Sequence, residues 1–262
     1  MSSDTPRLTI ITVVRNNLQG LITTSNSVLD QSFTSWELII KDGSSNDGTC
    51  EYAEELMHRD PRIRLVTDPD KSIYDAMNVA LSHAVGDYTL MLNGGDFLVD
   101  SSVLDEAFAL LDAIETPVDI AFFATRCRFE GGRSATRRAR RLSYIKYGLP
   151  AIHQSTLFST AWHKRFPYDL SYPICGDYVT IASQIKEGAR AQCFDFILSE
   201  FEICRDSTSF AGRARSRIEM DRALRELWAE SWATRKLKAA RRYLSNLAVQ
   251  LLVATNGLSR RR

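Results

Sequence analysis

The 262-residue sequence predicts an α/β fold: a mostly parallel sheet flanked by helices, with a helical appendage at the C-terminal end. Three observations carry this reading. Short β-branched apolar runs alternate with helix-period stretches through the first half. Asn, Asp and Gly residues gather directly after those runs, where open parallel sheets bind ligands. Beyond Gly212 the composition turns to helix formers and basic residues.

The elements follow in order. Leu8–Val14 (LTIITVV) is continuous and apolar, as a strand covered on both faces is. Residues 18–29 read as a helix. WELIIK at 36–41 is a second strand, stopped by Asp42-Gly43. A helix over 49–59 and a third strand over 63–67 come next. The helix at 73–85 carries Ile73, Ala76, Met77, Ala80 and Leu81 on one face. Residues 87–92 form a fourth strand that ends at Asn93-Gly94-Gly95-Asp96. Ser102 is placed to cap a helix running to about residue 114, and 118–125 is a fifth strand. GGRSATRRARR at 131–141 lacks apolar periodicity and reads as a mobile basic loop. A strand near 156–159, a helix over 177–187 and a return to the sheet over 191–203 complete this part. Two further helices are expected at 213–232 and 234–255.

Apolar residues make up 44% and charged residues 25%, which excludes a disordered or fibrous chain. The formal net charge is only +1, but it is unevenly spread. Residues 1–125 carry −13, 126–146 carry +7, 147–212 carry −2 and 213–262 carry +9. Five cysteines, none in C-x-x-C spacing, argue for reduced thiols rather than a disulfide framework or a zinc site. No run reaches the roughly 20 apolar residues of a membrane-spanning helix. The Leu8–Val14 run is too short for a signal peptide. The expected location is therefore cytoplasmic.

Three clusters at strand ends could do chemistry. A carboxylate at Asp42 can accept the N3–H of a uracil-type base, and Gly43-Ser44 let the backbone pass close. Asp70, Lys71, Asp75 and Asn78 surround a helix start, and a helix N-terminus with a nearby lysine suits phosphate. Asp96 stands beside two glycines. Mg²⁺ or Mn²⁺ on a diphosphate needs only one or two protein oxygens, because phosphates and waters supply the rest. Taken singly, each cluster is also what an ordinary turn or capped helix would show.

Together they resemble the nucleotide-sugar-binding half of the family 2 glycosyltransferases, which have the GT-A fold. TIITVVRNN, SVLDQSFTSWELIIKDGSSNDGT and DPDKSIYDAMNVALSHAVGDYTLMLNGGD occur in that family's order and spacing. The resemblance covers residues 7–125 closely and continues to about 205. It implies that Asp42 binds the base, that Val13 and Arg15 line the same pocket, and that Asp96 is the metal ligand, with Asn93 contacting either the ribose or the groups around the metal. Lys71, Asp75, Asn78 and Gly95 would complete the donor side. Two departures stand out. Many relatives have Asp where this chain has Asn93 and Gly95, and Arg where it has Met77; Lys71 would take over that arginine's phosphate contact. The SIYDAMN form resembles a subgroup that builds bacterial surface polysaccharides.

On the acceptor side, Ile152-His153-Gln154-Ser155 precedes Cys175-Gly176-Asp177-Tyr178. The resemblance makes Asp177 the general base, with His153 and Gln154 near the acceptor. It divides the chain into a nucleotide-sugar-binding half (1–125), an acceptor-binding half with the basic loop (126–212; 131–141) and a basic helical tail (213–262). The implied enzyme is an inverting transferase that moves a sugar from a nucleotide diphosphate sugar to a growing, lipid-linked glycan. The alternative is a scaffold subunit with reduced catalysis. A nucleotidyltransferase is disfavoured, because VVRNNLQG lacks the Gly-rich basic loop that grips a triphosphate.

In the tail, Leu237, Ala240, Leu244, Leu247, Leu251, Ala254 and Leu258 form a heptad seam beside clustered Lys and Arg. Such a helix could lie on the anionic inner face of the cell membrane. The same seam, over 234–258, could instead join two copies in a homodimer. Nucleic acid is not expected, because the basic residues lack interleaved aromatics apart from Tyr243.

Overall fold

The computed structural model describes residues 5–129, 132–203 and 213–229, with 231, 233, 234, 236, 237 and 240 beyond them. The first half is a βα alternation: β1 (Leu8–Val14), α1 (Leu18–Leu29), β2 (Trp36–Asp42), α2 (Thr49–Arg59), β3 (Ile63–Val66), α3 (Ile73–His83) and β4 (Tyr88–Met91). These four strands are parallel, in the order β3-β2-β1-β4. The helices over 18–29 and 49–59 have the bounds the sequence predicts.

Successive β1 residues explain the unbroken apolar run. Leu8, Ile10 and Val14 join Leu38, Ile40 and the α1 residues Leu21 and Val28 on one face. Ile11 and Val13 join Ile39 and the α3 residues Met77, Ala80 and Leu81 on the other. With both faces covered, a polar residue on β1 must find a partner inside. Thr9 does so on Glu37 (2.6 Å) and Thr12 on the Leu92 carbonyl (2.8 Å).

The second half makes the sheet mixed. It adds β5 (Phe97–Leu98), α4 (Val103–Asp112), β6 (Ile120–Phe129), β7 (Arg133–Arg137), β8 (Thr156–Ser159), α5 (Thr160–Arg165), α6 (Gly176–Lys186), β9 (Ala191–Ile203) and α7 (Arg213–Trp228). β8 inserts antiparallel between β4 and β6, and β9 runs parallel to β6 with β5 on its far edge.

Two expectations need correction. The stretch at 131–141 is not a loop throughout, because Arg133–Arg137 is a strand paired antiparallel with β6. Gly131-Gly132 was the available signal: a Gly-Gly pair between strands reads as a hairpin turn, and Gly132 has φ +80°. Ser102 precedes α4 but makes no side-chain cap. Its hydroxyl turns instead to Asp100 (3.1 Å) and Glu106 (3.2 Å).

α7 packs on α6. Ala223 and Leu224 are fully buried with Tyr178, Ile181 and Ala182. Trp228 donates its indole N–H to the Tyr178 hydroxyl at 3.0 Å. Beyond α7, Leu237 and Ala240 are exposed. The rest of the expected seam over 234–258, and the arginines that close the chain, lie outside the described residues. Among the described residues no helix is long and apolar enough to cross a membrane.

Buried His163 on α5 sets an acid limit on this fold. Its Nδ1 is 2.7 Å from Thr89 Oγ1 and its ring stacks on Phe158. Burial, with the nearby charge of His153, lowers its pKa to about 3. An imidazole that resists protonation only when folded favours the native state fully above its unfolded pKa of about 6.5. That advantage fades as pH falls toward 3. Chemical denaturation of wild type should therefore lose about 2 kcal/mol between pH 6.5 and 5 relative to His163→Gln. Parallel profiles for the two proteins would contradict this.

Candidate active site

The ends of β1, β2 and β4 gather the first group of polar residues. Asp42, the last residue of β2, lies opposite Val14 in the β1 register. It is 1% exposed. Its Oδ2 accepts the Ser45 N–H at 2.9 Å, while Oδ1 is enclosed and has no partner. An orphaned carboxylate oxygen at this depth is a standing acceptor for a ligand N–H.

The β1 and β2 loops are locked together around it. Asn16 (φ +48°) donates its N–H to Ser45 Oγ at 2.8 Å and accepts the Asn46 N–H at 2.9 Å. Arg15 is exposed and covers Gly43. A side chain there would meet Arg15 Cβ at 3.2 Å. Val13 is buried, and its carbonyl accepts the Gly94 N–H at 3.2 Å, joining this pocket to the β4 end.

Nothing local in the sequence announces what Lys41 does. Its fully buried ammonium donates to the Asp42 carbonyl and to Asp70, both at 2.7 Å. It thus ties the end of β2 to the segment before α3. In a strand read as WELIIK, a lone lysine looks like an edge residue; only the fold reveals that both faces are covered.

At the α3 start, Asp75 Oδ2 accepts the Lys71 N–H at 2.8 Å, and Ser72 Oγ accepts the Asp75 N–H at 3.2 Å. Asp75 therefore shapes the turn that carries Lys71, whose side chain is exposed. The Asn78 amide pairs both ways with the Tyr168 backbone, at 2.8 and 2.9 Å, and so stitches α3 to the segment before α6.

The loop after β4 is fixed from behind. Asn17 Nδ2 donates to the Gly94 carbonyl at 3.1 Å. Thr24 Oγ1 accepts the Gly95 N–H at 2.9 Å and lies 2.7 Å from the Asp96 carbonyl. Gly95 has φ +107°, a conformation that costs a side-chain-bearing residue strain. This strain accounts for Gly95 independently of any donor contact. The turn delivers Asp96, 6% exposed, into the crevice. Burial pushes its pKa up to about 6 against the pull of a Gln154 hydrogen bond and the nearby His153. Asn93 Oδ1 is enclosed there without a partner.

The 3-10 turn His153–Ser155 reaches Asp96 through a Gln154 hydrogen bond. Ser155 Oγ anchors that turn to Thr125 Oγ1 (2.8 Å) on β6 and to Ser199 Oγ (2.6 Å) on β9. His153 Nδ1 is 3.6 Å from Asp177 Oδ2, and His153 Nε2 and Gln154 Oε1 have no partner. Asp177 occupies the first turn of α6, where Oδ1 accepts the Tyr178 N–H at 2.7 Å. Asp96, Gln154, His153 and Asp177 thus line one crevice.

Tyr74 and Glu219 hold Asp177 in place. The Tyr74 hydroxyl donates to the Ile174 carbonyl at 3.0 Å and lies 3.5 Å from Asp177 Oδ1. Burial, reinforced by the Asp177 charge, raises its pKa, so it stays a neutral phenol. Gly176 is obligatory beside it, since a Cβ there would lie 2.8 Å from the Tyr74 ring. From α7, buried Glu219 accepts the N–H groups of Ile174 and Cys175 at 2.9 and 3.0 Å. No local pattern links residues 45 positions apart, so Glu219 was invisible in the sequence. Glu219→Ala should cost about 2 kcal/mol in denaturant unfolding, because two buried donors lose a charged acceptor. Unchanged stability would remove Glu219 from this role.

Among the described residues, no group of three or more His, Cys, Asp or Glu could hold a metal by itself. The donor set fits a hard cation that also carries a diphosphate. It offers one carboxylate, Asp96, and one orphaned amide oxygen, Asn93 Oδ1, in the same crevice.

Residues 9–170 match the sequence model of Glycosyl transferase family 2. The chain belongs to that family. Among family 2 relatives, it is 36% identical over 93 residues to the putative glycosyltransferase EpsE of Bacillus subtilis. It is 35% identical over 97 residues to TuaG of the same organism, a putative teichuronic acid biosynthesis glycosyltransferase. These matches span 35% and 37% of this chain, and only 34% and 38% of the relatives. A longer match, 26% identical over 179 residues, joins 66% of this chain to 67% of a PGL/p-HBAD biosynthesis glycosyltransferase of Mycobacterium tuberculosis. Two solved structures share the fold. S. aureus TarS (residues 1–349) superposes with TM-score 0.67 at 16% identity, over 97% of this chain and 75% of that one. The Pyrobaculum calidifontis mannosyltransferase PcManGT, in complex with GDP-Man and Mn²⁺, gives 0.64 at 15% identity, over 97% and 81%. The GT-A architecture expected from the motifs is therefore the one observed.

Proposed function

We propose that this family 2 chain is an inverting glycosyltransferase. It moves a sugar from a nucleotide diphosphate sugar to a hydroxyl of a growing glycan in polysaccharide biosynthesis. The observation that carries the proposal is the joining of Asp96 and Asp177 in one crevice through His153 and Gln154. One carboxylate closes the donor half and the other opens the acceptor half.

The residues divide the work. Asp42 Oδ1 takes an N–H of the base, with Val13 and Arg15 walling the pocket. Lys71 at the α3 start meets phosphate. Asp177 accepts the proton of the acceptor hydroxyl as its oxygen bonds to the anomeric carbon from the face opposite the diphosphate. The anomeric carbon–oxygen bond breaks, and its electron pair leaves with the diphosphate. Asp96, with Asn93 beside it, would hold Mn²⁺ or Mg²⁺. Such an ion supplies charge neutralisation for the departing diphosphate. TarS has been solved with UDP and with UDP-GlcNAc, and PcManGT with GDP-Man and Mn²⁺, which supports a nucleotide-sugar donor and a divalent ion here.

The acceptor is a lipid-linked glycan at the inner face of the membrane. The support is the +7 of residues 126–146 and the +9 of residues 213–262, which suit an anionic lipid surface better than the donor does. The reduced carboxylate set at the β4 end favours one other reading, a nucleotide-binding subunit without turnover. Release of nucleoside diphosphate from UDP-, GDP- or dTDP-sugars in Mn²⁺ separates the two. Slow hydrolysis without acceptor is expected. A donor that binds tightly and is never hydrolysed or transferred would favour the subunit.

A further inference from the structure

Among the described residues, the Arg137 guanidinium beside the crevice makes no ion pair with a carboxylate. Arg137 ends β7, and its Nε is enclosed without a hydrogen-bond partner among the described residues. Its Nη2 has only a long bond to the Leu149 carbonyl, 3.4 Å. Three nearby arginines are matched by carboxylates: Arg126 and Arg128 share Glu200, and Arg138 takes Asp195, while Arg140 lies over the Tyr144 ring.

The sheet register aims Arg137 at the acceptor side. It pairs with Thr125 of β6, which pairs with Ser199 of β9. Lateral partners in a sheet share a face. Thr125 and Ser199 are the two residues whose hydroxyls hold Ser155, at the end of the His153 turn. Arg137 thus ends a row that begins at the acceptor turn. It is close enough to feel the Asp177 charge, while burial and Arg140 work against its own charge. Part of the residue stays open to solvent, so a ligand can reach it.

A half-buried cation without a counter-ion is unfavourable until a ligand supplies the anion. Its neighbours in line across the sheet, Thr125 and Ser199, are neutral hydroxyls, which cannot play that part. We propose that Arg137 binds an oxyanion of the acceptor, a carboxylate or a phosphate close to the hydroxyl that Asp177 deprotonates, and so selects acidic acceptors. The word acceptor rests on the transferase reading; the anion site itself rests on Arg137.

The test is calorimetric titration of the full chain with inorganic phosphate, glucuronate, glucose and UDP in Mn²⁺, in wild type, Arg137→Met and Arg137→Lys. Wild type should bind phosphate or glucuronate but not glucose, with UDP already bound. Phosphate binding points to a lipid phosphate and glucuronate binding to a glycan carboxylate. Arg137→Met should weaken the anion roughly tenfold or more, Arg137→Lys should keep part of it, and UDP affinity should not change. If Arg137→Met does not fold, Arg137→Lys carries the comparison, because a lysine charge lacks the planar fork. Equal anion affinity in folded variants, or no anion binding by wild type, overturns the proposal. Weaker UDP binding in the variant, with phosphate competing against UDP, assigns the anion to the donor and overturns it as well. If wild type binds the anion but, in parallel titrations with UDP-, GDP- and dTDP-sugars, no nucleotide sugar, the transferase reading falls and the acceptor role falls with it.

Discussion

Asp177→Asn should lower sugar transfer by about 10²–10⁴-fold, the usual contribution of a general base, while nucleotide affinity stays within about twofold. Asparagine fills the same space and can still accept the Tyr178 N–H that fixes Oδ1 at 2.7 Å. It cannot take a proton. Donor binding should survive because Asp42, Val13 and Arg15 lie at the ends of β1 and β2, away from α6. Near wild-type turnover in a folded Asp177→Asn protein would refute the assignment. A matching loss of nucleotide affinity would show that Asp177 serves the donor rather than the acceptor.

Asp96→Asn should abolish the metal dependence of nucleotide binding, so that affinity in Mn²⁺ falls to the value measured with chelator. Asp96 is the one carboxylate that the turn after β4 delivers to the crevice, and a neutral amide is a much poorer ligand for a hard cation. The same substitution should leave the metal-free protein as stable as wild type or more so. Burial already holds the Asp96 carboxyl at a pKa of about 6, so enclosing its charge is unfavourable without a cation. Wild-type affinity that is identical with and without chelator would count against a metal at this position. A large loss of stability in Asp96→Asn would instead indicate a structural role.

The donor half was legible because its signals are local. Residues 8–14, 36–42 and 88–91 are strands covered on both faces, and each ends at a polar cluster that the sequence prints in one piece. What escaped was everything that depends on a distant partner. Lys41 reads as an ordinary strand residue until Asp70 is folded against it. Asn78 reads as a donor contact until Tyr168 takes both ends of its amide. Glu219 lies in a helix read as a basic tail, yet it holds the backbone that leads into Asp177. β7 escapes a local reading because its five residues, three small side chains between two arginines, carry no apolar period; only pairing with β6 makes them a strand.

One crevice is expected to bind a nucleotide sugar together with a divalent ion at Asp96. The most direct test is equilibrium binding of UDP-, GDP- and dTDP-sugars to the full chain, each with Mn²⁺ and with chelator. The predicted result is that at least one nucleotide sugar binds, more tightly with Mn²⁺, and that Asp42→Ala and Asp96→Asn each remove most of that affinity. Binding of none of the three classes, in either condition, would contradict the account.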